Sequence, residues 1–275
     1  MEQETRTVVY DRALGIEAYR FQGITRPFPN HFHDYYVLGC VEDGDRVLSC
    51  RKGDVPLQRG SLLLFGPGDS HGCAQRGGRP LDYRGLNVPR TVMLDLAEQI
   101  SGRRELPGFR ENVAWDPLAA GCLRRLHEAV MRGGTPPPEA LAALTARLLE
   151  AHGQPLARCA PACRPEVESA CAFMARRLGS AVRLDQLCRC TGLSKSTLLR
   201  AFVKEKGVTP YSYLENLRVS EARRLLEQGV PPAEAALRTG FSDQSHLTHC
   251  FRRITGLAPG ACRAARRGGR DPEKV

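Results

Sequence analysis

The spacing of apolar positions along the chain changes near residue 90, from a period of two to a period of three or four. Up to that point, short runs such as Leu62-Leu63-Leu64-Phe65 lie between turn signals such as Gly66-Pro67-Gly68-Asp69. Many short strands at this spacing are typical of a small sandwich or barrel. The pattern therefore predicts an N-terminal β-barrel over residues 1–92.

The segment after the barrel is predicted to be helical, because apolar residues such as Leu118, Cys122 and Leu126 recur at helical spacing. The segments with this spacing are 92–100, 117–131 and 138–151. A Gly- and Pro-rich break separates the last two. Residues 93–152 are therefore expected to form a helical extension, which is also the natural surface for dimerisation. A Pro- and Cys-rich linker over 153–165 is expected to follow.

The C-terminal region contains an internal repeat. The pattern Leu187-x4-Gly192-Leu193-Ser194 recurs 48 residues later as Ala235-x4-Gly240-Phe241-Ser242. The pattern Phe202-x4-Gly207-x2-Pro210 recurs 49 residues later as Phe251-x4-Gly256-x2-Pro259. Each copy predicts a short helix, a glycine turn, a serine N-cap and a longer helix that ends at glycine.

This repeat is the pattern of two helix-turn-helix motifs. Gly192 and Gly240 occupy the turns, where glycine adopts a positive φ at little cost. A single copy would more often be an ordinary helical hairpin, but two copies in the same order favour DNA binding. A long linker helix predicted over 210–226 joins the copies. Residues 166–268 are therefore expected to form one all-α DNA-binding domain, followed by a tail over 269–275.

The predicted DNA contacts lie in the first turns of each second helix, since these turns enter the major groove. Arg200 and Arg252 suit guanine or phosphate, and Gln244 suits adenine. The full set of predicted contacts is Lys195, Ser196, Thr197, Arg200, Asp243, Gln244, Ser245, His246, His249 and Arg252.

The net charge supports this assignment to the C-terminal part. The chain carries a net charge of +10, and the residues from Arg164 onward carry 20 Lys/Arg against 11 Asp/Glu, a net charge of +9. A basic half joined to a neutral half suggests an anionic polymer as partner of the basic half. Charge alone is equally consistent with a solubilising surface. Together with the repeat, it favours double-stranded DNA.

Residues 166–266 resemble the DNA-binding domain of the AraC/XylS family of transcription regulators. The most specific match is Gly240-Phe241-Ser242-Asp243-Gln244-Ser245, supported by Leu193-Ser194-x3-Leu198-x-Arg200-x-Phe202 in the first copy. The resemblance implies a homodimeric regulator, more often an activator, that binds promoter or operator DNA, responds to a small-molecule effector and contacts RNA polymerase. Pro232 and Ala235 stand where the family usually has Ile, so the second motif is expected to be the less firmly packed.

Two histidine motifs in the barrel region resemble those of AraC-type cupin sensor domains, over about residues 10–88. They are His31-Phe32-His33 and Pro67-Gly68-Asp69-Ser70-His71. On a strand, His31 and His33 share one face, and His71 is expected to join them in the barrel mouth. The predicted effector-binding residues are His31, His33, His71, Tyr36, Tyr83 and Arg84.

The same histidines, with Cys73, are candidate ligands for a divalent metal such as zinc, which imidazole and thiolate favour over calcium or magnesium. Metallocupins usually use three His and a Glu, and here Asp34 follows His33 while Glu42 lies farther on. The alternative is that the histidines form hydrogen bonds to an organic effector or serve the structure alone. Apart from this candidate metal, no cofactor is required.

Composition narrows the remaining classes of protein. The acidic N-terminus differs from a secretory signal, and no apolar run has the length of a membrane span, so a cytoplasmic location is expected. Most of the eleven cysteines are interpreted as reduced core thiols.

The expected fold is an α+β protein of two domains, with a cupin-like barrel, a helical extension and an all-α domain. No catalytic residue is predicted; a cupin metalloenzyme with a helical accessory domain and a metal- or redox-sensing regulator are the alternatives.

Overall fold

A computed structural model of the chain describes residues 4–134, 136–154, 164–266 and 273–274. Strands occupy the N-terminal part and helices the C-terminal part, which confirms the predicted fold class. The strands are β1 (Thr5–Asp11), β2 (Ile16–Ile24), β3 (Phe28–His31), β4 (Tyr36–Asp43), β5 (Arg46–Cys50), β6 (Gly53–Leu57), β7 (Leu62–Phe65), β8 (His71–Gln75), β9 (Leu81–Val88), β10 (Val113–Ala114) and β11 (Glu273–Lys274). The helices are α1 (Arg90–Ser101), α2 (Pro117–Met131), α3 (Pro138–His152), α4 (Pro165–Ala175), α5 (Leu184–Thr191), α6 (Lys195–Lys206), α7 (Pro210–Glu227), α8 (Pro232–Arg238), α9 (Gln244–Thr255) and α10 (Pro259–Arg266).

Two sheets build the barrel, with strand orders β10-β7-β4-β9-β2-β1-β11 and β3-β8-β5-β6. Strand β4 is buried on both faces, because alternate side chains enter different cores. Val37 lies in the barrel interior, whereas Leu38 packs on the outer side of the sheet among residues of α1, α2 and α3. The helical extension therefore covers one wall of the barrel.

The three helices of the extension begin and end within two residues of the segments predicted from periodicity. Helix α2 starts at Asp116, whose side chain accepts the Ala119 N–H at 3.0 Å. The extension also contains a strand that periodicity did not reveal. Val113 and Ala114 pair with β7, so the chain returns to the barrel sheet between α1 and α2.

The two helix-turn-helix motifs are α5–α6 and α8–α9, and α7 joins them. Ser194 caps α6 as predicted and accepts the Thr197 N–H at 3.3 Å. The prediction that Ser242 caps the second helix is wrong by one residue. Asp243 accepts the His246 N–H at 2.8 Å, and the Ser242 hydroxyl donates to the Asp243 carboxylate. A carboxylate near the positive end of a helix is also favoured electrostatically.

The second motif packs differently from the first. Phe202 and its neighbours form a core confined to α4–α7. Phe251, Ala235 and Ala236 are instead fully buried in a core that is continuous with the barrel interior. The small residues in α8, which led us to expect looser packing, therefore lie in a motif that packs against a second domain.

Candidate effector cavity and DNA-binding surface

A cavity of about 80 Å³ lies inside the barrel. Aromatic and aliphatic side chains form most of its wall, and no Lys or Arg is present among the described residues that line it. Ile254, Thr255 and Leu257, at the end of α9 and just beyond, also belong to the wall. The second helix-turn-helix motif therefore closes the cavity.

The structure divides the predicted effector-binding residues into two groups. His31, His33, His71 and Tyr83 line the cavity. Tyr36 does not, so its assignment to the pocket is wrong: its hydroxyl donates to the Pro107 carbonyl at 2.7 Å, on the outer side of the sheet.

Arg84 is also placed outside the cavity. Its guanidinium forms ion pairs with Glu42 and Glu128, at 2.8 and 3.0 Å, beside α2. Successive strand residues point to opposite faces, so Tyr83 and Arg84 cannot both point inward. By the same rule Tyr35, and not Tyr36, lines the cavity together with His33. The sequence makes both Tyr35 and Tyr36 candidates for the pocket wall, and the parity of Tyr35 with His31 and His33 distinguishes them.

The three histidines converge at one end of the cavity. His31 and His71 are partners on the neighbouring strands β3 and β8, and their ring centroids lie 4.4 Å apart. The ring of His33 lies 4.8 Å from that of His31 and 5.3 Å from that of His71. One nitrogen from each ring lies within 4.8 Å of the others. Phe65 stacks on His71 at 3.8 Å and holds that ring in place.

Burial keeps these imidazoles neutral, since a charged ring is costly to remove from water. Desolvation lowers the pKa of His31 to about 4. It also lowers the pKa of His33 and of His71 well below the ordinary value, and the neighbouring rings add to this effect. The cavity therefore presents three uncharged imidazoles.

Cys73 lines the same cavity but is not a member of the group of three nitrogens. Burial raises the pKa of its thiol to about 11. Cys73 therefore belongs to the apolar wall as a thiol.

A buried ion pair connects the barrel to the helix between the two motifs. The Arg223 guanidinium of α7 donates to the Glu17 carboxylate of β2 and to the Tyr35 hydroxyl. Asn87 also donates to Glu17, at 3.1 Å. Burial opposes the charge of Arg223, but Glu17 and Tyr35 raise its pKa well above the ordinary value. No local signal in the sequence pointed to this contact, since its partners are 206 residues apart.

A second contact between the domains lies at the end of α9. Gly256 ends this helix with φ +75°, and its carbonyl accepts a hydrogen bond from Arg6 at 2.6 Å. A Cβ at Gly256 would lie 2.7 Å from Phe21 and 3.3 Å from Phe28. Only glycine allows this approach of the helix end to the barrel.

The predicted DNA contacts of the first motif lie on the exposed side of α6. Ser196 and Arg200 are exposed, and the Arg200 side chain donates to the Ser196 carbonyl at 3.3 Å. Lys195 is also exposed and forms an ion pair of 2.8 Å with Asp185 of α5. This ion pair connects the two helices of the motif.

Four of the six predicted DNA contacts of the second motif line an open crevice of about 610 Å³ between α9 and the barrel, whereas Asp243 and His246 do not line it. On the barrel side, Glu4, Arg6 and Arg26 are among the lining residues. The α9 residues that line the crevice are Gln244, Ser245, Thr248, His249, Arg252 and Arg253. The side of α9 that carries most of its predicted DNA contacts therefore faces the barrel of the same chain. The corresponding side of α6 is exposed.

No helix in the described parts of the chain has both the length and the apolar character needed to cross a membrane. A ligand-binding barrel joined to two helix-turn-helix motifs defines a DNA-binding transcription regulator. Two family models match the chain: the AraC-like ligand binding domain over residues 13–156 and the helix-turn-helix domain over residues 187–265. The chain belongs to the AraC family of transcription regulators.

Similar proteins support the same assignment. The chain is 42% identical over 250 residues to the uncharacterized HTH-type transcriptional regulator YbfI of Bacillus subtilis, covering 90% of this chain and 91% of YbfI. It is 27% identical over 247 residues to the transcriptional activator RhaS of Pectobacterium carotovorum, covering 86% of this chain and 88% of RhaS. An apo variant of ToxT from Vibrio cholerae has a similar fold, with a TM-score of 0.56 and 12% identity over 92% of this chain and 97% of ToxT.

Proposed function

We propose that a small-molecule effector binds in the barrel cavity and thereby controls whether the second helix-turn-helix motif can reach DNA. The observation that carries this proposal is the shared wall of the cavity, to which Ile254, Thr255 and Leu257 of the second motif contribute. A ligand in this cavity contacts both the sensor barrel and the end of a recognition helix. Its binding energy therefore acts directly on the arrangement of the two domains.

The small volume of the cavity suggests that an effector separates the second motif from the barrel and does not hold the two together. Its volume of about 80 Å³ is small beside the roughly 300–1,000 Å³ of ordinary ligand sites. An effector must therefore displace part of the wall. Apart from the end of α9, the lining residues belong to the barrel. Effector binding is expected to push the second motif away from the barrel and free α9 for DNA.

Comparison with related proteins supports an activator. RhaS is named as a transcriptional activator, and a solved ToxT structure is described as bound to an unsaturated fatty acid. We therefore propose that this chain activates transcription in the cytoplasm through promoter DNA and RNA polymerase, and that its barrel serves sensing and not catalysis.

A homodimer is part of the same proposal. Two large apolar side chains are exposed at the start of the extension's helix pair: Trp115, just before α2, at 59%, and Leu118, in its first turn, at 71%. Exposed apolar residues on a helix pair beside the barrel suit a contact between two copies. Dimerisation through this extension would involve neither α6 nor α9.

Gly256→Ala tests control by domain closure. The new methyl group clashes with Phe21 and Phe28, so closure is weakened and effector-free protein should bind DNA more tightly, by roughly tenfold, a typical allosteric coupling. The measurement is the anisotropy of a labelled duplex recovered by selection from random sequences.

Gly102→Ala is the matched control for this substitution. Gly102, which ends α1, has φ +71°, and a Cβ there meets nothing within 4 Å, so both variants bear the same backbone strain of roughly 1–2 kcal/mol. Control by closure predicts tighter DNA binding for Gly256→Ala alone. Equal affinities of the two variants would contradict it.

Arg200→Ala and Gln244→Ala test the proposed reading of bases. Each should weaken binding to the selected duplex by roughly 1–3 kcal/mol if its side chain makes a bidentate base contact, with a smaller loss on unrelated DNA. Lys204→Ala, at an exposed position near the end of α6, is the control for the loss of one positive charge. If affinity for the two DNAs falls equally, these side chains contact phosphate and do not read sequence. The salt dependence of binding should then decrease as well.

The remaining predicted contacts are proposed on the same grounds, since they lie on α6 or α9 near the two tested residues. Those further residues are Lys195, Ser196, Thr197, Asp243, Ser245, His246, His249 and Arg252. Asp243 also caps α9, so its replacement is expected to destabilise the helix whether or not it contacts DNA.

A further inference from the structure

The histidine group in the barrel differs from the other places where ligand-type side chains meet. Within the described parts of the chain there are two further groups, one of Glu215, His246 and Cys250 and the other of Glu17, Glu227 and Cys262. In one, Glu215 pairs with Arg253, and in the other Glu17 and Glu227 pair with Arg223. A guanidinium therefore already neutralises the carboxylates of both groups. No Lys or Arg among the described residues lines the cavity of His31, His33 and His71, and Arg223, whose charge helps to lower the pKa of His33, is itself paired with Glu17.

The backbone fixes the orientation of two of the three rings. The Nδ1–H of His31 donates to the Pro29 carbonyl at 2.7 Å, and that of His71 donates to the Asp69 carbonyl at 2.9 Å. A carbonyl only accepts hydrogen bonds, so in each neutral ring Nε2 carries a lone pair. Hydrogen bonds of this kind to the second nitrogen are what orient metal-ligating histidines.

We infer that His31, His33 and His71 together bind one divalent transition-metal ion, with zinc as the best match. Three imidazoles suit zinc, copper or nickel and disfavour magnesium and calcium. Binding would draw the three nitrogens from their present spacing to about 2.0–2.1 Å from the ion. Cys73 stays outside the ligand set as a wall residue.

The charge of this site indicates the class of effector. Three neutral ligands leave the ion with its full double charge, in a cavity whose wall is mostly apolar. A fourth ligand with a negative oxygen or sulfur would lower that charge. The effector is therefore inferred to be a small molecule with an anionic donor atom and an apolar body. This second step, unlike the metal site itself, rests on the proposed function.

The full-length chain, stripped with a chelator, is dialysed against zinc and its metal content measured. Wild-type protein should hold one ion per chain, and His33→Ala should bind at least 100-fold more weakly, since even the loss of an outer hydrogen bond costs about 10–100-fold. His152→Gln, at the end of α3 and outside the wall of the cavity, is the control and should bind zinc as wild type does. Wild-type protein without zinc, or His33→Ala with unchanged affinity, would overturn the metal site.

Cobalt gives a second measurement that does not depend on a variant. Cobalt-loaded wild-type protein should show the visible spectrum of a tetrahedral nitrogen site, without the charge-transfer band of a thiolate ligand. Acetate, as the simplest carboxylate probe, should shift this spectrum; an unchanged spectrum would refute an open ligand position. A thiolate band would refute the exclusion of Cys73. If Gly256→Ala behaves as expected while no metal binds, the metal site fails and the proposed control by closure stands.

Discussion

Arg223→Met is expected to lower the free energy of unfolding by about 3–5 kcal/mol, because it leaves the Glu17 carboxylate buried without its counter-ion. Arg223 and Glu17 are 7% and 2% exposed, so water cannot take the place of the lost guanidinium. The Tyr35 hydroxyl loses its donor in the same variant. Urea unfolding, followed by circular dichroism, measures the effect.

The neighbouring residue provides a matched control. Arg224 forms an ion pair with Glu221, but its side chain is 53% exposed, so Arg224→Met should change stability by no more than about 1 kcal/mol. The double variant Glu17→Gln with Arg223→Met removes both charges and should recover much of the loss. Equal stabilities of Arg223→Met and Arg224→Met would show that the buried pair is not a determinant of the folded state.

The Arg223–Glu17 pair also links the stability of the fold to the proposed control of DNA binding. Arg223 lies on α7, which joins the two motifs, and Tyr35 lines the cavity. An effector beside Tyr35 is therefore close to this buried ionic contact between the domains. Breaking that contact by mutation should have the same sign of effect on DNA affinity as Gly256→Ala.

The helix-turn-helix repeat could be predicted because its signals are local. A glycine with positive φ, a cap residue and a helical apolar stripe are set by neighbouring residues, as Gly192 and Ser194 illustrate. The misplaced cap of α9 shows the limit of such signals. Ser242 and Asp243 are both good caps, and only the hydrogen bond to His246 distinguishes them.

Only some of the residues that line the cavity could be predicted from the sequence. The alternation of side chains along a strand identifies one face, and it correctly groups His31 and His33. Applied to the neighbouring positions, the same alternation excludes Tyr36 and Arg84, which were assigned to the cavity although they alternate with the lining residues Tyr35 and Tyr83. Contacts between distant segments, such as Arg223 with Glu17, depend on how the domains meet and leave no periodic trace.

The two core phenylalanines provide the last test, because they occupy equivalent positions in the two motifs. Phe202 and Phe251 are both fully buried, so each change to Ala should cost about 3–5 kcal/mol. The two variants should lose protection from hydrogen exchange in different parts of the protein. Phe202→Ala should weaken hydrogen-exchange protection in α4–α7 only. Phe251→Ala should weaken it in the second motif and, in addition, in β3 and the other strands around the cavity.

The difference between these two patterns decides how the sensor and the reader are coupled. If the core of the second motif is continuous with the barrel, loosening α9 must loosen the wall of the cavity, and a ligand in the cavity must act on α9 in return. If Phe251→Ala leaves the barrel as protected as in the wild type, the motif is an independent unit that merely rests on the barrel. Control by closure would then require a rigid movement of the whole DNA-binding domain. Phe202→Ala serves as the internal reference, since its core does not reach the cavity.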